Sequence, residues 1–126
     1  MFEQGKLVAF LPISDAARSR AFYEGILGLQ FVADDDFALV MRSSGTTIRM
    51  SKLQEVTPAQ FTVLGWDVAD IRAEAKALLS RGVKCEQFGF GQDDLGIWTA
   101  PGGTMVAWFK DPDGNILSLS QHTPAG

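Results

Sequence analysis

The sequence contains very little cysteine and histidine. Cys85 is the single cysteine, so no disulfide can form within the chain. A lone thiol is also typical of a protein from a reducing compartment. His122 is the single histidine and follows the last predicted strand. We interpret it as an exposed residue near the end of the sequence rather than as a metal ligand.

Basic clusters and long apolar runs are also missing. The chain has 11 Lys and Arg residues against 15 Asp and Glu, a net charge of −4. Without a basic stripe, nucleic acid is not expected as a partner. No apolar run reaches the ~18 residues that a membrane span needs. The first residues, "MFEQGKLVAFLPIS", lack the charged, apolar and small-residue regions of a signal peptide, so we expect a cytoplasmic protein.

The composition is that of an ordinary globular chain. Of its 126 residues, 46% are hydrophobic and 21% are charged. A chain of this length buries roughly two-thirds of its unfolded surface, so it can hold a core without disulfides or metals. We therefore expect a single domain that spans residues 1–126.

The first half reads as a strand, a helix and three further strands. The strand covers Lys6–Ser14, and Ser14 or Asp15 provides the helix N-cap. The helix follows with Ala17, Ala21 (or Phe22) and Ile26 on its apolar face, and Gly28 ends it. The three strands are "LQFVAD", "FALVMRS" and "TTIRMSK".

The second half repeats this plan. Phe61–Val68 forms a strand, and Asp70 caps a helix with Ile71, Ala75 and Leu78 on one face. Gly82 ends the helix, and the strand candidates "VKCEQF", "IWTA", "TMVAWFK" and "NILSLSQ" follow. The pattern predicts an α+β fold of two βαβββ repeats, at about 6–52 and 61–122, joined by the linker 53–60. We expect the repeats to form one curved mixed sheet around a cleft.

Two segments carry a resemblance to a known family. "ISDAARSRAFYEGILGLQF" has a strand, an Asp, a helix with Ser-x-x-Phe-Tyr, and then Leu-Gly. "FKDPDGNILSLSQ" has Phe-x-Asp-Pro-Asp-Gly-Asn before a strand. Together with the duplication, they resemble the vicinal oxygen chelate superfamily of glyoxalases, bleomycin resistance proteins and extradiol dioxygenases. The resemblance implies the paired βαβββ fold, but the fold alone does not determine the function.

The resemblance also implies where a metal would bind. Metal-using members place one ligand on the first strand and one on the last strand of each repeat. These positions correspond to Val8, Arg49, Val63 and Ser118. Valine has no lone pair, serine is a poor neutral ligand, and arginine would repel a divalent cation. We therefore expect no metal and no cofactor, and neither a metal-dependent glyoxalase I nor an extradiol dioxygenase.

A cleft without metal can still bind a small molecule. Strand alternation places Phe10 with Val8, Asp67 with Val63, and Trp108 beside Ser118. The predicted ligand-binding residues are Val8, Phe10, Arg49, Val63, Asp67, Trp98, Trp108 and Ser118. Phe22, Trp66 and Phe109 are expected in the core instead. We expect Arg49 to form a salt bridge with Asp67, or to bind an anionic group of the ligand.

Three functions fit these features. The first is a metal-independent protein that binds an aromatic or amphipathic small molecule. The second is a metal-free isomerase or lyase for a small anionic substrate, with Arg49 as the electrophile and Asp67 or His122 as the base. The third is a subunit with a collapsed cleft that serves only association. The chain also resembles bleomycin resistance proteins through "GGTMVAWFKDPDGN", which implies a homodimer. In those proteins an acidic aromatic groove holds a cationic antibiotic, and Asp34–Asp36 could either contribute to such a groove or form a solvated turn.

Overall fold

The computed structural model describes residues 1–122, which form two compact units. The first unit covers Met1–Thr57 and the second begins at Pro58. The boundary lies inside the predicted linker 53–60. Each unit contains one βαβββ repeat, so the predicted α+β fold with a duplicated unit is confirmed. That the two units form one domain stays a prediction.

The first unit is a four-stranded mixed sheet with one helical segment. Its elements are β1 (Val8–Ile13), α1 (Ala16–Arg20), a π-helical continuation (Ala21–Ile26), β2 (Gln30–Asp34), β3 (Ala38–Ser43) and β4 (Thr46–Lys52). The strand order is β1-β4-β3-β2, with β1 parallel to β4 and the other pairs antiparallel. A helix between β1 and the rest of the sheet is what a parallel pair requires.

The helix begins as predicted, but its buried face differs. The Asp15 carboxylate accepts a hydrogen bond from the Arg18 N–H at 3.0 Å, so Asp15 is the N-cap. Ser19, Phe22 and Tyr23 are buried, whereas Ala17 and Ala21 are exposed. The predicted alanine face is therefore wrong, and the alternative Phe22 is right. The reason is the wider π turn, in which the Leu27 N–H reaches the Phe22 carbonyl at 3.0 Å and shifts the helical register.

The second unit repeats the topology. Its elements are β5 (Thr62–Asp67), α2 (Ile71–Ser80), β6 (Trp98–Thr99), β7 (Met105–Lys110) and β8 (Ile116–Gln121). The strand order is β5-β8-β7-β6, again with one parallel pair, β5 with β8. The Asp70 carboxylate caps α2 by accepting from the Ala73 N–H at 3.1 Å. The predicted buried face is confirmed, because Ile71, Ala75 and Leu78 are all buried.

One predicted strand is absent from the described part of the second unit. The segment "VKCEQF" lies in an irregular connection, residues 83–97, between α2 and β6. We call this connection the aromatic loop, because it carries Phe88 and Phe90. Its apolar residues indicated a strand, but the Phe88 N–H donates to the Gln92 side-chain oxygen at 2.6 Å and the Glu86 carbonyl accepts from the Gln92 amide at 2.8 Å. Backbone groups bonded to a side chain in this way are not available to a strand ladder.

Each sheet has a covered face and an open face. In the second unit, α2 packs against β7 and β8, and Ala107, Phe109 and Leu117 are buried on that covered face. Trp66 stacks on Phe109 there, with ring centroids 6.5 Å apart, so Phe109 is in the core as predicted. The open face carries Trp108 and Ser118, which are directly opposite in the β7–β8 register.

The first unit shows the same alternation. On β1, Leu11 and Ile13 are buried while Val8 and Phe10 are 40% and 64% exposed. On β4, Ile48 and Met50 are buried and Arg49 is half-buried. Val8, Phe10 and Arg49 therefore lie on the open face of this sheet. Among residues 1–122, no helix is long and apolar enough to cross a membrane.

Candidate functional site

Four aromatic rings form a cluster on the open face of the second sheet. Trp98 of β6 and Trp108 of β7 have ring centroids 6.3 Å apart. The aromatic loop brings Phe88 within 5.7 Å and Phe90 within 5.8 Å of Trp108, centroid to centroid. These separations are in the range of favourable ring–ring contacts. We refer to Phe88, Phe90, Trp98 and Trp108 as the aromatic cluster.

The cluster borders two open hollows. The larger is about 420 Å³, and its lining consists of Gln60, Phe61, Thr62, Phe88, Phe90, Trp108 and Ile116. The second is about 320 Å³ and is lined by Phe90, Trp98 and Trp108. The first hollow thus combines rings with two neutral polar side chains, Gln60 and Thr62. The second offers rings alone.

Hydrogen bonds fix the aromatic loop from within. The Gln92 amide donates to the carbonyls of Glu86 and Gly96, both at 2.8 Å, and its oxygen accepts from the Phe88 N–H at 2.6 Å. Asp93 accepts from the Leu95 and Ile97 N–H groups, both at 2.9 Å. The loop that presents the two phenylalanines is therefore ordered by its own polar side chains.

An ion pair joins the same loop to helix α2. Arg72 Nη1 lies 2.7 Å from Asp93 Oδ2. Burial acts to raise the pKa of Asp93, but the Ile97 and Leu95 N–H donors and the Arg72 charge outweigh it. The net result is a pKa below the ordinary value of an aspartate. Asp93 is accordingly held in its charged form.

The Ser118 hydroxyl fits against Gly65, where any larger residue would take up the same space. In the β5–β8 register Ser118 lies opposite Gly65, and a β-carbon at position 65 would overlap the Ser118 hydroxyl.

Val63 lies at an irregularity between Thr62 and Leu64 and has no register partner on β8. Consequently Thr62, and not the predicted Val63, lines the larger hollow. An extra residue in a bulge changes which side chain reaches a given face.

The predicted residues of the first unit share one face. Phe10 is the register partner of Arg49, and Val8 lies two residues before Phe10 on the same strand.

Hydrogen bonds from the Phe37 and Ala38 N–H groups lower the pKa of Asp35, and the nearby charges of Arg49 and Lys52 add to this effect. Within its own unit, Arg49 therefore has an aspartate as its electrostatic neighbour.

Asp67 has its partner within the second unit. His122 Nδ1 lies 3.0 Å from Asp67 Oδ1, and both side chains are largely exposed. Asp67 is at the opposite end of the sheet from Ile116, since its register partner is Ser120. Arg49 and Asp67 belong to different units, and their salt bridge stays a prediction.

The donor chemistry of the family positions does not suit a divalent metal. The first-strand residues that lie opposite Arg49 and Ser118 are Phe10 and Gly65. Neither of them has a side-chain donor atom for a metal either. In residues 1–122, no three His, Cys, Asp or Glu side chains come together as a metal-binding group. A phenyl ring, a glycine, a hydroxyl and a permanent cation cannot replace carboxylates or imidazoles.

Sequence reasoning found only half of the aromatic cluster. Trp98 and Trp108 were predicted, whereas Phe88 and Phe90 were missed. The usable signal was the alternation Phe88-Gly89-Phe90-Gly91, which places exposed rings between residues that favour turns. Interpreting "VKCEQF", which ends with Phe88, as a strand concealed this signal.

The comparisons with known proteins agree with this architecture. The sequence model of the glyoxalase/bleomycin resistance protein/dioxygenase superfamily matches residues 6–119. A member of that superfamily from Sphaerobacter thermophilus has a similar structure, with 23% identity, a TM-score of 0.71, and coverage of 93% of this chain and 96% of the other.

Two further solved structures are similar. The glyoxalase family protein from Enterococcus faecalis is 16% identical with a TM-score of 0.76, covering 95% of this chain and 99% of that one. Lactoylglutathione lyase from Agrobacterium tumefaciens is 15% identical with a TM-score of 0.72 over 91% of both chains. No curated protein matches the sequence. At these identities the structural similarity concerns the fold alone.

Proposed function

Because the chain belongs to the glyoxalase/bleomycin resistance protein/dioxygenase superfamily, we propose that it binds an aromatic or amphipathic small molecule without a metal. The observation that carries this proposal is the aromatic cluster beside two hollows on the open face of the second sheet. Rings from strands β6 and β7 and from the aromatic loop converge there. Such surfaces, with few polar groups, are typical of small-molecule sites.

Exposure of the cluster supports binding rather than a purely structural role. Phe90 is 57% exposed and Phe88 is 39% exposed, while Trp98 and Trp108 are half-buried. A planar ligand that covers these rings would bury apolar area worth about 25 cal/mol per Å². Stacking against the rings adds about 0.5–1.5 kcal/mol for each well-placed pair.

The chemistry of the predicted metal positions supports binding that does not depend on a metal. Val8 and Val63 have no donor atom, and Arg49 carries a permanent positive charge. Phe10 and Arg49 on the first sheet are proposed as additional ligand-contacting residues. Val63, Asp67 and Ser118 remain proposals for the second sheet, where Asp67 already binds His122.

A homodimer is part of the proposal. Strand β1 lies at the edge of its sheet, and its neighbouring apolar residues are exposed, with Leu7 at 76% and Phe10 at 64%. Exposed apolar edge strands are usually covered by another chain or element. We propose a second copy as that cover, since symmetric edge contacts close a dimer. Sedimentation equilibrium at micromolar concentration tests this, and a monomer would contradict it.

Fluorescence titration against a panel of uncharged and charged aromatic compounds tests the binding function. We expect saturable quenching in the wild type and a loss of at least ten-fold in affinity in Trp108→Ala. Trp66→Phe is the matched control, because Trp66 stacks on Phe109 on the covered face. That variant should lose fluorescence intensity and keep its affinity. Titrations in EDTA should be unchanged. Absence of saturable binding across the panel would contradict the proposal.

One observation favours a second candidate, a metal-free isomerase or lyase. The Asp67 carboxylate lies 3.0 Å from the His122 imidazole, an arrangement that can orient a general base. In that case Arg49 would stabilise a developing oxyanion. Turnover of a ligand found in the titration, lost in both His122→Gln and Arg49→Ala, would favour the enzyme over the binding protein.

A further inference from the structure

The two hollows differ in polarity, and this difference favours one binding orientation for an amphipathic ligand. The smaller is lined by Phe90, Trp98 and Trp108 alone. The larger extends to Gln60, Thr62 and Ile116 at the start of β5 and β8. An amphipathic molecule would therefore place its ring among the tryptophans and its polar group toward the beginning of these two strands.

Lys110 stands beside the polar end. It is the register partner of Ile116, which lines the larger hollow. Directly opposite residues have β-carbons about 4.5–5.5 Å apart on the same face. Lys110 also follows Trp108 by two residues on β7, and strand alternation puts both side chains on the open face at a spacing of about 7 Å. Its ammonium group is thus within reach of a ligand at this end.

Among residues 1–122, no acidic side chain forms an ion pair with Lys110. The Asp111 carboxylate, next in sequence, is buried and accepts from the Asp113 and Asn115 N–H groups and from the Asn115 amide, all at 2.9 Å. Glu86 donates its N–H to the Trp108 carbonyl at 2.7 Å but forms no ion pair with Lys110. Within residues 1–122, Lys110 has no ion-pair partner, so its charge is available.

The carboxylate of Asp67, which lies on the same face, is at the far end of the strands. Asp67 pairs with Ser120 in register, whereas Thr62 pairs with Ile116. Four residues of strand separate Ile116 from Ser120, which is about 13 Å. The Asp67 carboxylate also lies 3.0 Å from His122 Nδ1. The polar end of the larger hollow therefore has Lys110 and neutral hydrogen-bonding groups, and the carboxylate of Asp67 lies at the other end of the strands.

We infer that the ligand is an aromatic acid, with its ring in the aromatic cluster and its anionic group at Lys110, Gln60 and Thr62. This inference rests on the proposed binding function and adds the sign of the ligand's charge. It differs from an acidic groove for a cationic compound. A carboxylate would accept a charge-assisted hydrogen bond from the Lys110 ammonium and further bonds from the Gln60 amide and the Thr62 hydroxyl.

Three matched probes test the charge. Isothermal titration calorimetry would compare 4-phenylbenzoate, 4-phenylbenzyl alcohol and 4-phenylbenzylamine, which share a biphenyl ring system and differ in charge. We expect the acid to bind at least three-fold tighter than the alcohol, and the amine to bind weakest. Lys110→Gln should lower the affinity for the acid about three- to ten-fold and leave the alcohol unchanged.

The control is Lys76→Gln, which removes the same charge from the exposed surface of α2 on the covered side of the sheet. It should change none of the three affinities by more than about two-fold. Equal binding of acid and alcohol, or strongest binding of the amine, would overturn the inference and leave the binding function standing. Failure of all three probes, together with the aromatic panel, would overturn both.

Discussion

Gly96 packs against the side chain of Cys85 across the base of the aromatic loop. A β-carbon at position 96 would lie 2.8 Å from the Cys85 β-carbon, closer than real β-carbon contacts allow. Gly96 also has a φ of +85°, where other residues are strained. The geometry of the loop that carries Phe88 and Phe90 therefore depends on glycine at this position for two separate reasons.

Gly96→Ala should destabilise the protein and weaken ligand binding. We expect a loss of about 2–4 kcal/mol in the free energy of unfolding, from left-handed strain together with overlap with Cys85. Urea denaturation measures this loss. Gly89→Ala is the matched control, because Gly89 has a φ of +81° but open space around it. Its cost should be only about 1–2 kcal/mol. Equal costs in the two variants would contradict the role of the Cys85 contact.

Gly65→Ala should be destabilising because of Ser118. The new methyl group would overlap the Ser118 hydroxyl, while its other neighbours in Ser118 lie at ordinary distances of 3.5 and 3.8 Å. We expect a loss of about 1–3 kcal/mol in the free energy of unfolding. Ser118→Ala removes the overlapping hydroxyl, so the double variant should recover at least half of that loss. A double-mutant cycle with additive effects would contradict this coupling.

The sequence was sufficient to predict the periodic parts of the fold. Both N-caps, Asp15 and Asp70, were found because a short acidic side chain before an apolar helix has one common use. The alternation on β7 and β8 separated Phe109 from Trp108 correctly, since a two-residue period leaves little freedom once one face is buried.

Irregular backbone accounts for the errors. The π turn after Arg20 left Ala17 and Ala21 exposed and buried Tyr23 beside Phe22, and the irregularity after Thr62 leaves Val63 without a register partner on β8. The aromatic loop is held by side chains such as Gln92 that reach along the chain. None of these features has a period, so pattern reasoning could not find them.

Phe22→Ala tests the revised helix register. Phe22 is 6% exposed and contacts Tyr23 edge to face, with centroids 5.0 Å apart. Truncating such a buried ring should cost about 3–5 kcal/mol in the free energy of unfolding. Phe37→Ala is the control, since Phe37 is 80% exposed between β2 and β3. In the same urea titration it should cost less than about 1 kcal/mol. A comparable loss in both variants would mean that Phe37 is buried in solution.

The lowered pKa of Asp93 predicts an acid-sensitive aromatic loop. A carboxyl group whose pKa is lower in the folded state stabilises that state above the pKa of the unfolded chain. This contribution is lost as the pH falls through the folded-state value. For Asp93 the window therefore lies below about pH 4. As Asp93 becomes protonated, its hydrogen bonds from Leu95 and Ile97 and its ion pair with Arg72 weaken.

Urea denaturation between pH 5 and pH 2.5 would measure this effect by comparing Asp93→Asn with the wild type. The variant should be less stable at pH 5, and the difference should shrink toward pH 2.5 as the wild-type carboxylate becomes protonated. Asp94→Asn is the matched control, because the Asp94 side chain is 84% exposed and its oxygen lies 4.0 Å from the nearest Arg72 nitrogen, a longer distance than that of Asp93. Its stability should follow that of the wild type at every pH. A constant difference between Asp93→Asn and the wild type across the range would show that the charge of Asp93 does not stabilise the loop, since only a charge effect disappears on protonation.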